Sequence, residues 1–118
     1  MNTKTTGDAG ENRAVSYLEE KGFKIIERKW RTRTGEIDII AEKDNCVVFF
    51  EVKTLPNGTR DMLLRELNQQ KQQRILKTSK RFLLNHRQYN DSYIRFDVIV
   101  IDMPGYPPVY HIENAFME

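Results

Sequence analysis

The chain contains a single cysteine, so no disulfide can form within it. Cys46 lies inside an apolar strand pattern and reads as a small buried hydrophobe. Long apolar runs are also missing. The longest uninterrupted one is Cys46 to Phe50, against the roughly 20 residues that a membrane-spanning helix requires. Met1 to Asp8 is polar and has no apolar h-region, which argues against a secretory signal and favours a cytoplasmic location. His86 and His111 are far apart and have no cysteine partners, so a zinc site is not expected. There is no Gly-rich phosphate loop and no Ser or Cys nucleophile motif. Repeats, low-complexity tracts and dividing linkers are likewise absent.

What is present fits one domain. A chain of 118 residues can bury one core without disulfides or a structural metal. Hydrophobic residues at 39% and charged residues at 31% are in the range of a folded, soluble protein. A net charge of +2 decides nothing, but its distribution is informative. Lys21 to Arg33 holds six basic residues and one acid, and Arg65 to Arg87 holds seven and one. The acids gather along Glu36 to Asp44. Segregated basic segments suit a polyanionic partner, or else form two solvated faces.

The pattern of the chain predicts an α/β domain with a mixed central sheet flanked by helices. Residues 1–7 read as a loose tail. A helix follows from about Ala9 to Lys21, with Asp8 as N-cap, Gly22 past its end, and an inner stripe of Ala14, Val15 and Leu18. Strands are expected near Phe23–Trp30, Glu36–Glu42 and Cys46–Thr54. Alternation in the second puts Ile37, Ile39 and Ala41 on one face and Glu36, Asp38 and Ile40 on the other. Asp44-Asn45 reads as a tight hairpin turn. The third strand is apolar on both faces until Glu51, as in a strand covered on both sides. Residues 56–67 read as a loop or a frayed helical turn. A long helix is expected from about Asn68, its N-cap, to His86, with Lys71, Ile75, Leu76, Phe82 and Leu83 on or beside its inner stripe. Strands near Ile94–Asp102 and Val109–Glu113 complete the order.

The hairpin of the second and third strands carries the chemistry. Glu51 and Lys53 are two apart in a strand, so they leave the same face ~6.6 Å apart. If Asp44-Asn45 is a two-residue turn, Lys43 faces Cys46 and Asp38 falls opposite Glu51. Two opposed carboxylates repel, and burial makes this worse. Lys53 can supply one positive charge. A divalent cation can supply the rest, since Mg²⁺ takes one or two protein carboxylates and keeps water and phosphate oxygens. The competing reading pairs each acid with a basic residue in an ordinary salt bridge.

Asp38 followed by Glu51-Val52-Lys53 resembles the PD-(D/E)xK nuclease signature, with Ile37 in place of its usual proline. The wider pattern resembles the YraN family of small bacterial proteins, through Gly10-Glu11, Gly35 to Ala41, Phe49 to Thr54, Lys71 and Arg95 to Val98. Leu55 and Lys29 depart from it, standing where the family often has a basic residue and Asn. The resemblance implies a restriction-endonuclease-like αβββαβ core, similar to Holliday-junction resolvases, and a metal-dependent nuclease acting on DNA more than RNA, branched DNA included. It implies Asp38, Glu51 and Lys53 as catalytic residues, with Mg²⁺ or Mn²⁺ held by Asp38, Glu51, the Val52 carbonyl and Glu11. It also implies a homodimer. Glu11 has a second reading, because its spacing from Asp8 is that of a capping box. Lys71 either snorkels to the surface or reaches a phosphate. Arg28, Arg31 and Arg33 offer guanidinium forks for nucleic-acid phosphates, with Trp30 among them as a core residue. A binding or assembly module that keeps the nuclease fold without turnover is the alternative function.

Overall fold

The computed structural model describes residues 3–117. Helix α1 (Thr3–Glu20) precedes strands β1 (Lys24–Thr32), β2 (Gly35–Lys43) and β3 (Cys46–Thr54). Helices α2 (Arg60–Glu66) and α3 (Gln69–Asn85), a single 3-10 turn at Arg87–Tyr89, and strands β4 (Tyr93–Ile101) and β5 (Val109–Phe116) follow. The sheet order is β1-β2-β3-β4-β5, with β3 and β4 parallel and the other pairs antiparallel. This is an α/β domain with the αβββαβ order of a restriction-endonuclease-like core. The parallel pair requires a crossover, which α2 and α3 supply.

Both faces of the sheet are covered. On one, Ala14 and Leu18 of α1 pack on Ile39, Ala41, Val48, Phe50, Ile99 and Ile101. On the other, Ile75, Leu76 and Phe82 of α3 pack on Ile37, Ile40, Val47, Phe49 and Phe96. Trp30 joins this second cluster half-buried, edge-on to Phe82 with ring centroids 5.3 Å apart. Asn68 caps α3 as expected, its Oδ1 accepting from the Lys71 N–H at 2.9 Å.

Three expectations need correcting. The helix begins at Thr3, not near Ala9; of the expected tail, only residues 1–2 lie outside the described residues. Asp8 is therefore inside α1 and is not its N-cap; its carboxylate meets the Lys29 ammonium on β1. Residues 60–66 form a true helix rather than a loop, because Thr59 caps it, accepting from the Met62 N–H at 3.2 Å. Finally, Ile37 does not share a face with Ile39 and Ala41. It packs on the α3 side with Ile40, whereas Ile39 and Ala41 face α1. The alternation slips by one at Asp38. Lys29, between the pairs Arg28↔Ile39 and Trp30↔Ile37, has φ 52° there. The left-handed backbone of Lys29 thus coincides with the point at which the alternation switches.

Candidate active site

The β2–β3 hairpin has the expected register. Asp44 and Asn45 both take positive φ, 51° and 61°, as a tight two-residue turn demands. The ladder runs from Lys43↔Cys46 to Ile39↔Phe50, and the next step brings Asp38 to the level of Glu51. There the strands part. The Asp38 carboxylate enters the seam and accepts the Val52 N–H at 2.8 Å. One backbone bond thus ties Asp38 to the middle of Glu51-Val52-Lys53.

Asp38 is half-buried and, among the described residues, no cation pairs with it. Burial and the neighbouring Glu51 charge push its pKa up to about 7, with Glu11 and Glu36 adding to the effect and the Val52 N–H opposing it. Glu51 is 6% exposed and faces two ammonium groups, Lys53 at 3.6 Å and Lys71 at 3.5 Å. Lys53 also lies 3.7 Å from Glu66 on α2. Lys71 reaches across from α3 to the site instead of snorkelling to the surface. The salt-bridge reading therefore describes Glu51, and Asp38 escapes it.

Glu11 is 5% exposed, and its capping-box reading fails because Asp8 is not an N-cap. Its Oε1 accepts from Arg28 Nε at 2.9 Å. Gly10 explains how it comes so close to the strands. A Cβ there would stand 2.0 Å from Thr54 Oγ1 and 3.3 Å from its Cβ, so any larger residue would have to displace the Thr54 side chain where α1 presses onto the end of β3. Asp8, Glu11, Lys29, Arg31, Glu36, Asp38 and Val52 line one cleft of about 470 Å³, whereas Glu51 and Lys53 do not line it and meet Lys71 of α3 and Glu66 of α2 instead.

The three arginines separate. Arg31 lies at this cleft and forks onto Glu36 Oε2 at 2.7 and 3.0 Å. Arg28 is held by Glu11 and by Asn12 Oδ1 at 2.7 Å. Arg33 lines a different groove, on the α3 side. The three therefore do not form one phosphate-binding rim, because Arg33 sits in the β1–β2 turn, beyond the end of β1.

The donor set at this point is two acidic side chains that repel, with a backbone carbonyl at Val52 and Glu11 nearby. Such oxygen donors suit a hard divalent cation that retains several waters. The raised Asp38 pKa marks the same need from the other side, because a proton is the alternative neutraliser. As the side chains stand, no three Asp, Glu, His or Cys groups among the described residues gather tightly enough to cage an ion. Asp38 and Glu51 thus fit as a pair, and Glu11 would have to leave Arg28 to join them.

Sequence reasoning missed two features. Glu66 came from a segment whose pattern was ambiguous. Asp97, fully buried on β4, accepts from both arms of Arg95 at 2.8 Å, from the Asn114 N–H at 2.9 Å, and meets His111 Nε2 at 2.7 Å. Tyr17 Oη lies 3.2 Å from the other ring nitrogen. The alternating Arg95 and Asp97 on one strand face was the available signal for the first of these contacts.

Fold and site together define a small domain of the restriction-endonuclease-like class, with its acidic hairpin at one end of the sheet. Residues 10–101 match the Uncharacterised protein family UPF0102, and the chain belongs to that family. It is 44% identical to a UPF0102 protein of Treponema denticola over 93% of both chains. A UPF0102 protein of Treponema pallidum is 42% identical over 96% of this chain and 93% of the relative. One from Alkaliphilus oremlandii is 41% identical over 96% and 98%. No helix among the described residues is long and apolar enough to cross a membrane.

Proposed function

We propose that this protein is a nuclease that hydrolyses phosphodiester bonds with Mg²⁺ or Mn²⁺, acting on DNA in preference to RNA. The observation that carries the reading is Asp38, a carboxylate without a paired cation among the described residues, set beside Glu51 and tied by the Val52 N–H to the strand that bears Lys53. A structural acid in such a place would have a basic partner, as Glu51 has.

Asp38 and Glu51, with the Val52 carbonyl and, once released from Arg28, Glu11 as further oxygen donors, would hold the divalent cation, which would supply polarisation of the phosphodiester and a more nucleophilic water. Asp38 and Glu51 also hold hydrogen-bond acceptors where an attacking water must be oriented. Lys53, poised between Glu51 and Glu66, donates to a phosphate oxygen as charge develops on it. Lys71, on the other side of Glu51, steadies that carboxylate and adds positive charge to the phosphate site. Arg31 at the cleft is placed to exchange Glu36 for a backbone phosphate.

The test is a cleavage assay on linear duplex, single-stranded and branched DNA with Mg²⁺, Mn²⁺ or EDTA. Wild type should cleave at least one of these in either metal and none in EDTA. Asp38→Asn should abolish cleavage while binding stays equal or tightens, since a repulsive charge near the phosphates is gone. The Arg28–Glu11 pair favours a second reading, a nucleic-acid-binding or assembly module that keeps the fold without turnover. Binding by wild type with no cleavage in any metal would leave only that module.

A further inference from the structure

A second groove of about 680 Å³ lies on the α3 side of the sheet, bounded by Trp30, Arg31, Arg33, Lys77, Arg81 and Leu84. Its character differs from that of the carboxylate cleft. The floor is apolar: Trp30, held edge-on by Phe82, and Leu84, which is 63% exposed. The rim is cationic. Lys77 and Arg81 are one helical turn apart on α3, and Leu84 follows Arg81 by three, so all three share a face. Arg33 approaches from the β1–β2 turn. Among the described residues Arg33, Lys77 and Arg81 enter no ion pair, and no acid lines the groove. Cations grouped around an exposed leucine suit an occupant that is anionic at its edge and flat and apolar at its centre.

We propose that this groove binds a short unpaired stretch of nucleic-acid strand, with bases on Trp30 and Leu84 and phosphates on Arg33, Lys77 and Arg81. Its volume falls in the roughly 300–1,000 Å³ range of sites that enclose small ligands, enough for a nucleotide. A duplex keeps its bases stacked inside and would leave the apolar floor uncovered. A simple anion would use the rim alone. Arg31 lines both this groove and the carboxylate cleft, so a strand leaving one enters the other around the β1–β2 turn. The inference rests on the nuclease reading only in this respect: it names the substrate as one with a single-stranded segment beside the cut.

Trp30 is the only tryptophan in the chain, so its emission reports occupancy directly. The full chain, in EDTA, would be titrated with a short oligothymidylate, a blunt duplex of equal length and polyglutamate. The oligothymidylate should quench Trp30 saturably, with affinity at least about tenfold above the duplex, as stacking of a base predicts. Replacing Arg33, Lys77 and Arg81 together by Ala should weaken it about tenfold or more and flatten the log–log salt slope by up to ~2, at ~0.7 per lost phosphate contact. Leu84→Glu, at an exposed position that leaves folding intact, should also abolish the quench. Absence of quenching, or equal quenching by duplex or polyglutamate, would overturn the proposal. Because the titration contains no metal, its outcome is independent of catalysis. Quenching without any cleavage would keep the groove and remove the nuclease, and cleavage without quenching would do the reverse.

Discussion

Asp38 and Asp97 stand on either side of β3, on β2 and β4, and show two ways of placing an aspartate in one sheet. Asp97 is fully buried and receives hydrogen bonds from Arg95, His111 and the Asn114 backbone. These donors outweigh the desolvation that would raise it, and its pKa falls below the usual value. Asp38 is less buried, yet among the described residues it has one backbone donor, with the charges of three carboxylates acting on it, and its pKa rises to about 7. Burial alone therefore does not set the state of either residue; the supply of positive charge does. Where the fold needs an acid for structure, it surrounds the acid with donors. Where it leaves one short of them, as at Asp38, a cation or a proton from outside has a place, and this is the physical basis of the functional assignment.

The comparison breaks most sharply at Asp97. Asp97→Ala strands a partly buried guanidinium and a nearly buried imidazole, and should cost about 3 kcal/mol of stability, read by urea unfolding. It should do so with or without Mg²⁺, because the network has no part in the cleft. If the loss were below about 1 kcal/mol, the range of an exposed ion pair, Asp97 would not be the structural member of the pair.

Added cation comes next. Mg²⁺ or Mn²⁺ at about 100 times its dissociation constant should stabilise wild type by about 2.7 kcal/mol. The same addition should leave Asp38→Asn close to unchanged. Thermal unfolding in EDTA and in metal measures both, and an equal shift in the two proteins would place the cation elsewhere.

The pH dependence sharpens the contrast, and the two residues have opposite signs. Asp38 has a folded pKa above its ordinary value of 3.8, so its favourable contribution is complete below that value and is lost as pH rises through about 7. Asp97 has a lowered pKa, so its contribution is present above its ordinary value and is lost as pH falls through its folded one. In the metal-free protein Asp38→Asn should thus match wild type near pH 4. It should exceed it by a few kcal/mol near pH 8, since each unit by which folding raises the Asp38 pKa costs roughly 1.4 kcal/mol once the group is ionised. Denaturant midpoints measured across this range would refute the assignment if the difference grew toward acid.

Much of this contrast was readable before the fold was known, for particular reasons. The Asp44-Asn45 turn fixed the hairpin register, and register put Asp38 level with Glu51. Two-residue spacing put Lys53 beside Glu51. Asn68 capped α3 as its side chain suggested. The remainder depended on interactions that no local pattern carries. The face switch at Asp38 coincides with the left-handed Lys29 on the neighbouring strand, a conformation lysine seldom adopts. Glu66 reaches Lys53 only because Thr59 caps a helix in an ambiguous segment. The Arg28–Glu11 pair needs α1 laid across β1, which depends on the close approach at Gly10. His111 meets Asp97 through the β4–β5 pairing, 14 residues apart in the chain.

The smallest expected effect concerns Lys53, and it distinguishes catalysis from packing. Simple opposition of Asp38 and Glu51 would make Lys53 their main compensation, so that its loss would be costly. In the structure Lys71 also faces Glu51, at 3.5 Å against 3.6 Å for Lys53. Lys53→Ala should therefore lower metal-free stability by only about 0.5–1 kcal/mol, the range for a partly exposed ion pair. Its effect on cleavage should be far larger, a loss of at least about 100-fold, because an ammonium aimed at charge developing on phosphate has no substitute in the transition state. Lys71→Ala should cost similar stability with a smaller loss of cleavage, since that lysine acts through Glu51. Chemical denaturation paired with single-turnover cleavage separates the two lysines. Equal kinetic losses at both would mean that each merely holds Glu51 in place, and that Lys53 has no direct role at the phosphate.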